Sequence, residues 1–341
     1  MPMNDRYLRQ TIFPYIGEEG QKKLFTSRVA VLGLGALGTV TANNLARSGV
    51  GYLRLIDRDY VEATNLQRQV LFDERDAAEE LPKAEAARRH LSQINSEIGL
   101  DPVVSDVNSS NIANLINDVD LVIDATDNFE TRMLLNEACL VRSVPWIYGG
   151  AIGSEGMSMN ILHDGGPCYC CLTGNELPLP GTYPTCSTAG VLNTVTNIVA
   201  SIQCTEALKY LVGDIGSMRK ELFYINVWEN RVFLLPLGRN DDCSACVHHR
   251  YEYYDAVKGA YVISMCGSDS FQVVPDKTAD IDFREMADKL MPLGKTSYSK
   301  FTLDFERGPV SIKLFRDGRA IVRHVKDENQ AKSLYSEYIG L

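Results

Sequence analysis

Two short cysteine pairs are the residues most plainly spaced for chemistry. Cys168-x-x-Cys171 and Cys243-x-x-Cys246 each sit beside turn formers such as Gly165, Gly166, Pro167 and Ser244. Two such knuckles supply four thiolates, the donor set of a closed tetrahedral zinc site with a structural role. Cys170 leaves Cys168/Cys170 open as another pairing, although the two-residue gap is the better zinc geometry. Zinc would fasten the end of this region to its middle. Of the nine cysteines, Cys139, Cys204 and Cys266 lie in apolar or strand-like contexts and read as core. Cys186 stands at the start of a long apolar helix, where the helix N-terminus favours a thiolate. That position suits a nucleophile and equally a small residue at a helix start.

A second group lies nearer the N-terminus. Gly33-Leu34-Gly35-Ala36-Leu37-Gly38 falls between a strand and a helix, where glycine admits a phosphate close to the backbone and the helix start offers unpaired amides. Asp57 ends the next strand, where a carboxylate binds ribose hydroxyls. Alone, this pair points to a nicotinamide or flavin enzyme. The residues that follow shift the balance: Asn65-Leu66-Gln67-Arg68-Gln69 and then Pro82-Lys83. Arg68 and Lys83 are either solvated surface cations or the cations that an enzyme breaking a triphosphate needs, since charge develops there as pyrophosphate leaves. Asp124-Ala125-Thr126-Asp127-Asn128 closes a further strand at the ligand-binding edge. A carboxylate there could hold magnesium, while Asp127 or Asn128 caps the following helix. Arg9, within Arg6–Gln10, has no evident structural use.

The elements that must position these groups follow from periodicity. Strands are predicted at Arg28–Leu32, Tyr52–Asp57, Val103–Val107, Asp120–Ala125 and Pro145–Gly149, with helices at Ala36–Ser48, Lys83–Asn95 and Glu130–Val141. This alternation specifies an α/β fold with a doubly wound, mostly parallel, Rossmann-like sheet. After Gly150, antiparallel strands at Gly156–Leu162 and Glu221–Leu235 flank a core helix over Ala189–Val212, and the Pro/Gly-rich Leu177–Pro184 reads as a mobile loop. From about Tyr251 a small α+β unit is expected. Its strands lie near Tyr261–Ser264, Phe271–Val274, Tyr298–Phe305, Val310–Phe315 and Ala320–Arg323, and its helices at Phe283–Leu290 and Glu328–Tyr338. The expected domains are therefore 1–250, divided into a nucleotide-binding half over about 25–150 and a zinc half over about 151–250, and 251–341.

Composition narrows the function classes. The 341 residues carry a net charge of −10 and no basic block, which disfavours a nucleic-acid partner. The long apolar helix is interrupted by Asn193, Asn197, Gln203 and Glu206, so no membrane span is expected. Met1–Gln10 is polar and charged rather than leader-like, and unpaired cysteines suit a reducing cytoplasm.

Taken in order, Arg6–Gln10, Gly33–Gly38, Asp57–Asp59, Asn65–Gln69, Lys83, Thr126–Asn128, Cys168/Cys171, Cys186 and Cys243/Cys246 resemble the ThiF/MoeB/HesA family, bacterial relatives of the ubiquitin-activating enzymes. The resemblance spans about Arg6–Cys246, and the unit beyond is similar to the C-terminal extension of some Firmicutes-type members of thiazole or molybdopterin synthesis. It implies an adenylyltransferase that uses ATP, Mg2+ and Zn2+. Gly33, Gly35, Gly38 and Asp57 would bind the nucleotide, with Asn65, Arg68 and Lys83 on the triphosphate and Asp127 on magnesium. Arg9 would reach into the second subunit of a homodimer. The implied substrate is the terminal Gly-Gly of a small ubiquitin-like sulfur carrier, attacking the α-phosphate. In the thiamin branch the residue matching Cys186 becomes linked to the activated carrier. No rhodanese cysteine loop is evident in 251–341, so a separate sulfur donor such as a cysteine desulfurase is implied. A nicotinamide-dependent oxidoreductase, a catalytically dead scaffold and the tRNA-modifying dehydratase branch of the superfamily are the competing classes.

Overall fold

In the computed structural model, residues 5–163, 165–174, 189–256, 261–264, 270–275 and 279–340 are described. They form two compact units, Met1–Ala256 and Val257–Leu341. The first runs past the boundary expected at 250 because the Glu137 carboxylate accepts hydrogen bonds from the amides of Tyr253 (2.7 Å) and Tyr254 (2.8 Å).

Unit one is built on eight strands: β1 (Arg28–Leu32), β2 (Tyr52–Asp57), β3 (Gly99–Val104), β4 (Leu121–Asp124), β5 (Trp146–Ile152), β6 (Glu155–Ile161), β7 (Leu222–Asn226) and β8 (Arg231–Leu235). Their spatial order is β3-β2-β1-β4-β5-β6-β7-β8. The first five are parallel, and β6, β7 and β8 continue the sheet antiparallel. The helices are α1 (Leu8–Thr11), α2 (Gly17–Thr26), α3 (Ala36–Arg47), α4 (Glu74–Ala78), α5 (Lys83–Ile94), α6 (Ile112–Leu115), α7 (Phe129–Arg142), α8 (Tyr169–Thr173) and α9 (Asn193–Val212).

The continuous apolar run of β1 reflects burial on both faces. Val29 and Val31 enter a core shared with α2, α3, α5 and α9, while Ala30 and Leu32 enter a second core with α6, α7 and the cysteine region. Strand order reverses between β1 and β4, which opens a crevice at their carboxyl ends, the usual ligand position in such sheets. β3 begins earlier than the sequence suggests, at Gly99 rather than near Val103. Pro102 disguised it: proline lacks an N–H but is tolerated here because β3 is an edge strand. Glu221–Leu235 resolves into the hairpin β7–β8, and the core helix starts at Asn193 instead of Ala189. The predicted mobile loop over Leu177–Pro184 lies outside the described residues, as do Cys186 and Cys266.

Unit two contains a six-stranded antiparallel sheet of β9 (Tyr261–Ser264), β10 (Ser270–Val274), β11 (Lys295–Tyr298), β12 (Thr302–Arg307), β13 (Val310–Phe315) and β14 (Ala320–Arg323), ordered β11-β12-β13-β14-β10-β9. Two helices, α10 (Phe283–Leu290) and α11 (Glu328–Tyr338), cover the face carrying Val273, Leu303, Phe305, Ile312, Leu314 and Val322. The single strand expected over Tyr298–Phe305 is in fact the β11–β12 hairpin.

The Glu137 clasp is pH-sensitive. Burial pushes its carboxyl up to about 7, against the two amides that favour the charge. A carboxyl with a raised folded-state pKa stabilises the fold fully below its ordinary value and loses that contribution as pH rises towards 7. The melting temperature of the wild type should therefore fall between pH 5 and pH 8. Glu137→Gln should flatten this dependence, and an unchanged slope in the variant would count against the assignment.

Candidate nucleotide site and cysteine cluster

Local backbone requirements shape the glycine loop. Gly33 adopts φ +86°, and a Cβ there would meet the Ala125 carbonyl oxygen at 2.7 Å, so only glycine lets the loop pass β4. A Cβ on Gly38 would lie 1.9 Å from the Gly33 carbonyl oxygen, which is how α3 starts so close to the turn. Gly35, by contrast, faces open space, leaving its surface free for a ligand.

Asp57 anchors this loop to β2. One carboxylate oxygen accepts the Leu34 amide at 2.6 Å and the other accepts the Asp59 amide at 2.7 Å. Burial pushes the Asp57 carboxyl above the usual carboxylate range, and the Lys83 charge opposes this. Lys83 opens α5, is buried, and lies 3.0 Å from an Asp59 oxygen. Burial alone would lower the Lys83 ammonium, but Asp59 and Asp57 outweigh it and hold it above the usual lysine range. It therefore stays cationic at any working pH. Asp127 adds to the field around both Lys83 and Arg58, which places it within electrostatic reach of the same cluster.

The carboxylates after β4 divide their work. Asp124 is buried and paired with Arg132 at 3.0 Å, and Thr126 donates to it through both its amide and its hydroxyl. Asn128 is the N-cap of α7, accepting the Thr131 amide at 2.8 Å. Asp127 is exposed and has no hydrogen bond or ion pair among the described residues. It is thus the carboxylate after β4 that the fold itself does not use. Gln203 of α9 donates to the Asp124 carbonyl at 2.7 Å and the Ile147 carbonyl at 3.1 Å, joining β4 to β5 beneath the crevice.

Asn65 is buried, and its side-chain oxygen accepts the Glu62 amide at 3.2 Å. Arg68 is half-buried and donates to the Thr64 carbonyl at 2.9 Å. Arg9 lies exposed on α1 beside the exposed Leu8, Ile12 and Phe13, making no hydrogen bond or ion pair among the described residues. Sequence reasoning did not single out Asp59, Arg132 or Gln203. The Asp-x-Asp spacing with Asp57 was the available signal for Asp59. Gln203 showed only as a polar interruption of the apolar helix, and Arg132 sits in ordinary helical periodicity and gave no signal.

The four knuckle cysteines come together. Cys168 Sγ lies 3.9 Å from Cys171 Sγ and 3.6 Å from Cys243 Sγ, and Cys171 Sγ lies 3.6 Å from Cys246 Sγ. All four sulfurs fall within 4.8 Å of one another. Zn–S bonds of about 2.3 Å require sulfurs about 3.8 Å apart in a tetrahedron, so the set fits zinc. N–H groups point at the sulfurs, among them the Asn136 amide side chain at Cys168 (3.7 Å) and the Asn240 backbone at Cys171 (3.4 Å). Such contacts orient thiolate ligands. Cys170 is not one of that group, its sulfur lying 3.4 Å from the Gly174 carbonyl oxygen and 3.5 Å from the Ser244 hydroxyl, which removes the Cys168/Cys170 alternative. Cys139 and Cys204 are buried in the core, as expected. A second group, Asp73, Asp76 and His90, is accounted for by the capping of α4 and by ion pairing of Asp76 to Arg89 and His90.

No described helix is long and apolar enough to cross a membrane. Comparison with known proteins gives a consistent result. The ThiF family model matches residues 7–245. The sulfur carrier protein ThiS adenylyltransferase of Bacillus subtilis is 36% identical over 341 residues, covering 99% of this chain and all of that protein. The SAMP-activating enzyme E1 of Haloferax volcanii is 39% identical over 242 residues, 71% of this chain and 88% of its own length. Among solved structures, E. coli MccB with ATP superposes with TM-score 0.62 at 26% identity, covering 71% of this chain and 75% of MccB. The ThiS relative spans the second unit as well, in accord with the extension expected after residue 250. The chain belongs to the ThiF family and is a nucleotidyltransferase.

Proposed function

We propose that this protein activates the C-terminal Gly-Gly carboxylate of a ubiquitin-like sulfur carrier of ThiS or MoaD type by ATP-dependent adenylation. The observation that carries the reading is the buried Lys83, held cationic by Asp59 beside the ribose-side carboxylate Asp57. A hydride-transfer site has no use for such a cation, whereas triphosphate cleavage does. The full-length likeness to a ThiS adenylyltransferase favours the thiazole branch over the molybdopterin one. The cysteine cluster and the net charge of −10 weigh against the tRNA-modifying branch.

Gly33–Gly38 and the start of α3 receive the phosphates, Asp57 the ribose hydroxyls, and Asn65, Arg68 and Lys83 the triphosphate. The carrier carboxylate attacks the α-phosphorus, the new acyl C–O–P bond forms, and the bond to the β-phosphate breaks with its electrons leaving on pyrophosphate. Asp127 would hold magnesium, which neutralises phosphate charge when bound. The protein's share is positioning and electrostatics, with no covalent step required of it. Cys168, Cys171, Cys243 and Cys246 would hold zinc as a fold clamp. Arg9 fits a role in trans within a homodimer because it is exposed and carries no partner among the described residues. Cys186 is assigned to the later sulfur-transfer stage, in which a cysteine desulfurase is the expected sulfur source.

The test is ATP–pyrophosphate exchange with purified ThiS-type and MoaD-type carriers ending in Gly-Gly. Carrier-dependent exchange is expected. Asp127→Ala should abolish it, whereas Cys186→Ala should leave it intact. Absence of exchange with both carriers would overturn the proposal.

A further inference from the structure

One charged pair at the carboxyl edge of the sheet is not among the residues assigned to the triphosphate above. Arg58 follows Asp57 directly, and its guanidinium lies 2.8 Å from an Asp106 oxygen and 3.7 Å from an Asp59 oxygen. Asp106 comes just after β3 and is almost fully buried, its side chain 7% accessible against 26% for Arg58. Its peptide is itself fixed, because Asn111 donates to the Asp106 carbonyl at 2.6 Å. The guanidinium is therefore held rigidly, with part of its surface open.

Strand order says what should lie there. The phosphates belong to the turn after β1 and the ribose to Asp57 at the end of β2, adjacent strands about 4.8 Å apart. A nucleotide laid out in that direction continues over the end of the next strand, which is β3 in the order β3-β2-β1. That is where Arg58 and Asp106 meet. A planar guanidinium stacks on aromatic faces in a way an ammonium does not.

Building on the nucleotide reading above, we infer that Arg58, fixed by Asp106, is the platform on which the purine base of the nucleotide stacks, and so sets the preference for ATP over pyrimidine nucleotides. Asp106 is a positioning residue that acts through Arg58.

The test is equilibrium binding of ATP, CTP and inorganic tripolyphosphate, each with magnesium, to the full-length protein by calorimetry. Arg58→Ala should weaken ATP about fivefold or more, CTP less, and tripolyphosphate hardly at all. Arg58→Lys keeps the charge and the link to Asp106, and so guards against a variant that fails to fold. It should lose the ATP-over-CTP preference to a similar degree. Asp106→Asn should reduce the preference less. Equal loss for all three ligands, or no loss in either Arg58 variant, would overturn the stacking role while leaving the adenylation reading standing. A wild type that binds no ATP would remove both.

Discussion

Lys83→Met should abolish carrier-dependent ATP–pyrophosphate exchange and also lower the melting temperature markedly. Two separate losses are involved. Lys83 is buried among Asp57 and Asp59, and removing one member of a buried charge group strands the others, at a cost of roughly 3–5 kcal/mol. Removing a charge aimed at the phosphates costs a further factor of about 100 or more in rate. The two effects are separable. In the double variant Asp59→Asn with Lys83→Met, part of the stability should return because one of the two stranded carboxylates is gone, while exchange stays absent. If exchange returns along with stability, Lys83 is only a structural cation and the proposed phosphate role fails.

Stripping the metal from the cysteine cluster should have an effect of comparable size. Binding at structural zinc sites with four ligands is worth about 10–16 kcal/mol in apparent free energy, and that energy is folding energy. One zinc per chain is expected by elemental analysis. Cys171→Ser or Cys246→Ser should give protein that is metal-poor and unfolds at much lower temperature, while Cys170→Ser should match the wild type. Cys170 bonds to Ser244 outside the ring of four sulfurs, so a shared loss of zinc in all three variants would contradict the geometry.

Much of this arrangement was readable from residue order. The strand ends carrying Gly33 and Asp57, and the spacing of the cysteine knuckles, rest on local rules, and the Arg28–Leu32 and Tyr52–Asp57 strands fall where periodicity placed them. The same holds for α10, α11, β13 and β14 in the second unit. What was not readable depends on tertiary position. The extent of β3 depended on Pro102 lying at a sheet edge. Hairpins in Glu221–Leu235 and Tyr298–Phe305 were hidden because a short turn barely interrupts an apolar run. The choice of Asn128 as cap, leaving Asp127 exposed, required coordinates. So did the pairing of Lys83 with Asp59, because sequence shows that a cation is nearby but not which anion holds it.

The cysteine cluster also has a consequence for the order in which the chain is made. Its first pair leaves the ribosome well before β7 and β8, and its second pair comes after both. The glycine loop, β1 to β5 and α7, with the Asn136 that contacts Cys168, are all synthesised before the first pair, and α9, β7 and β8 while the ring of sulfurs is half complete. Domains fold from the N-terminus as they emerge, so capture of a metal at this cluster would be a late event. It can close only on a chain whose sheet has already brought the two knuckles together. A zinc ion held there would act as an end-of-assembly seal, and a chain truncated before Cys243 should bind no zinc and melt at lower temperature.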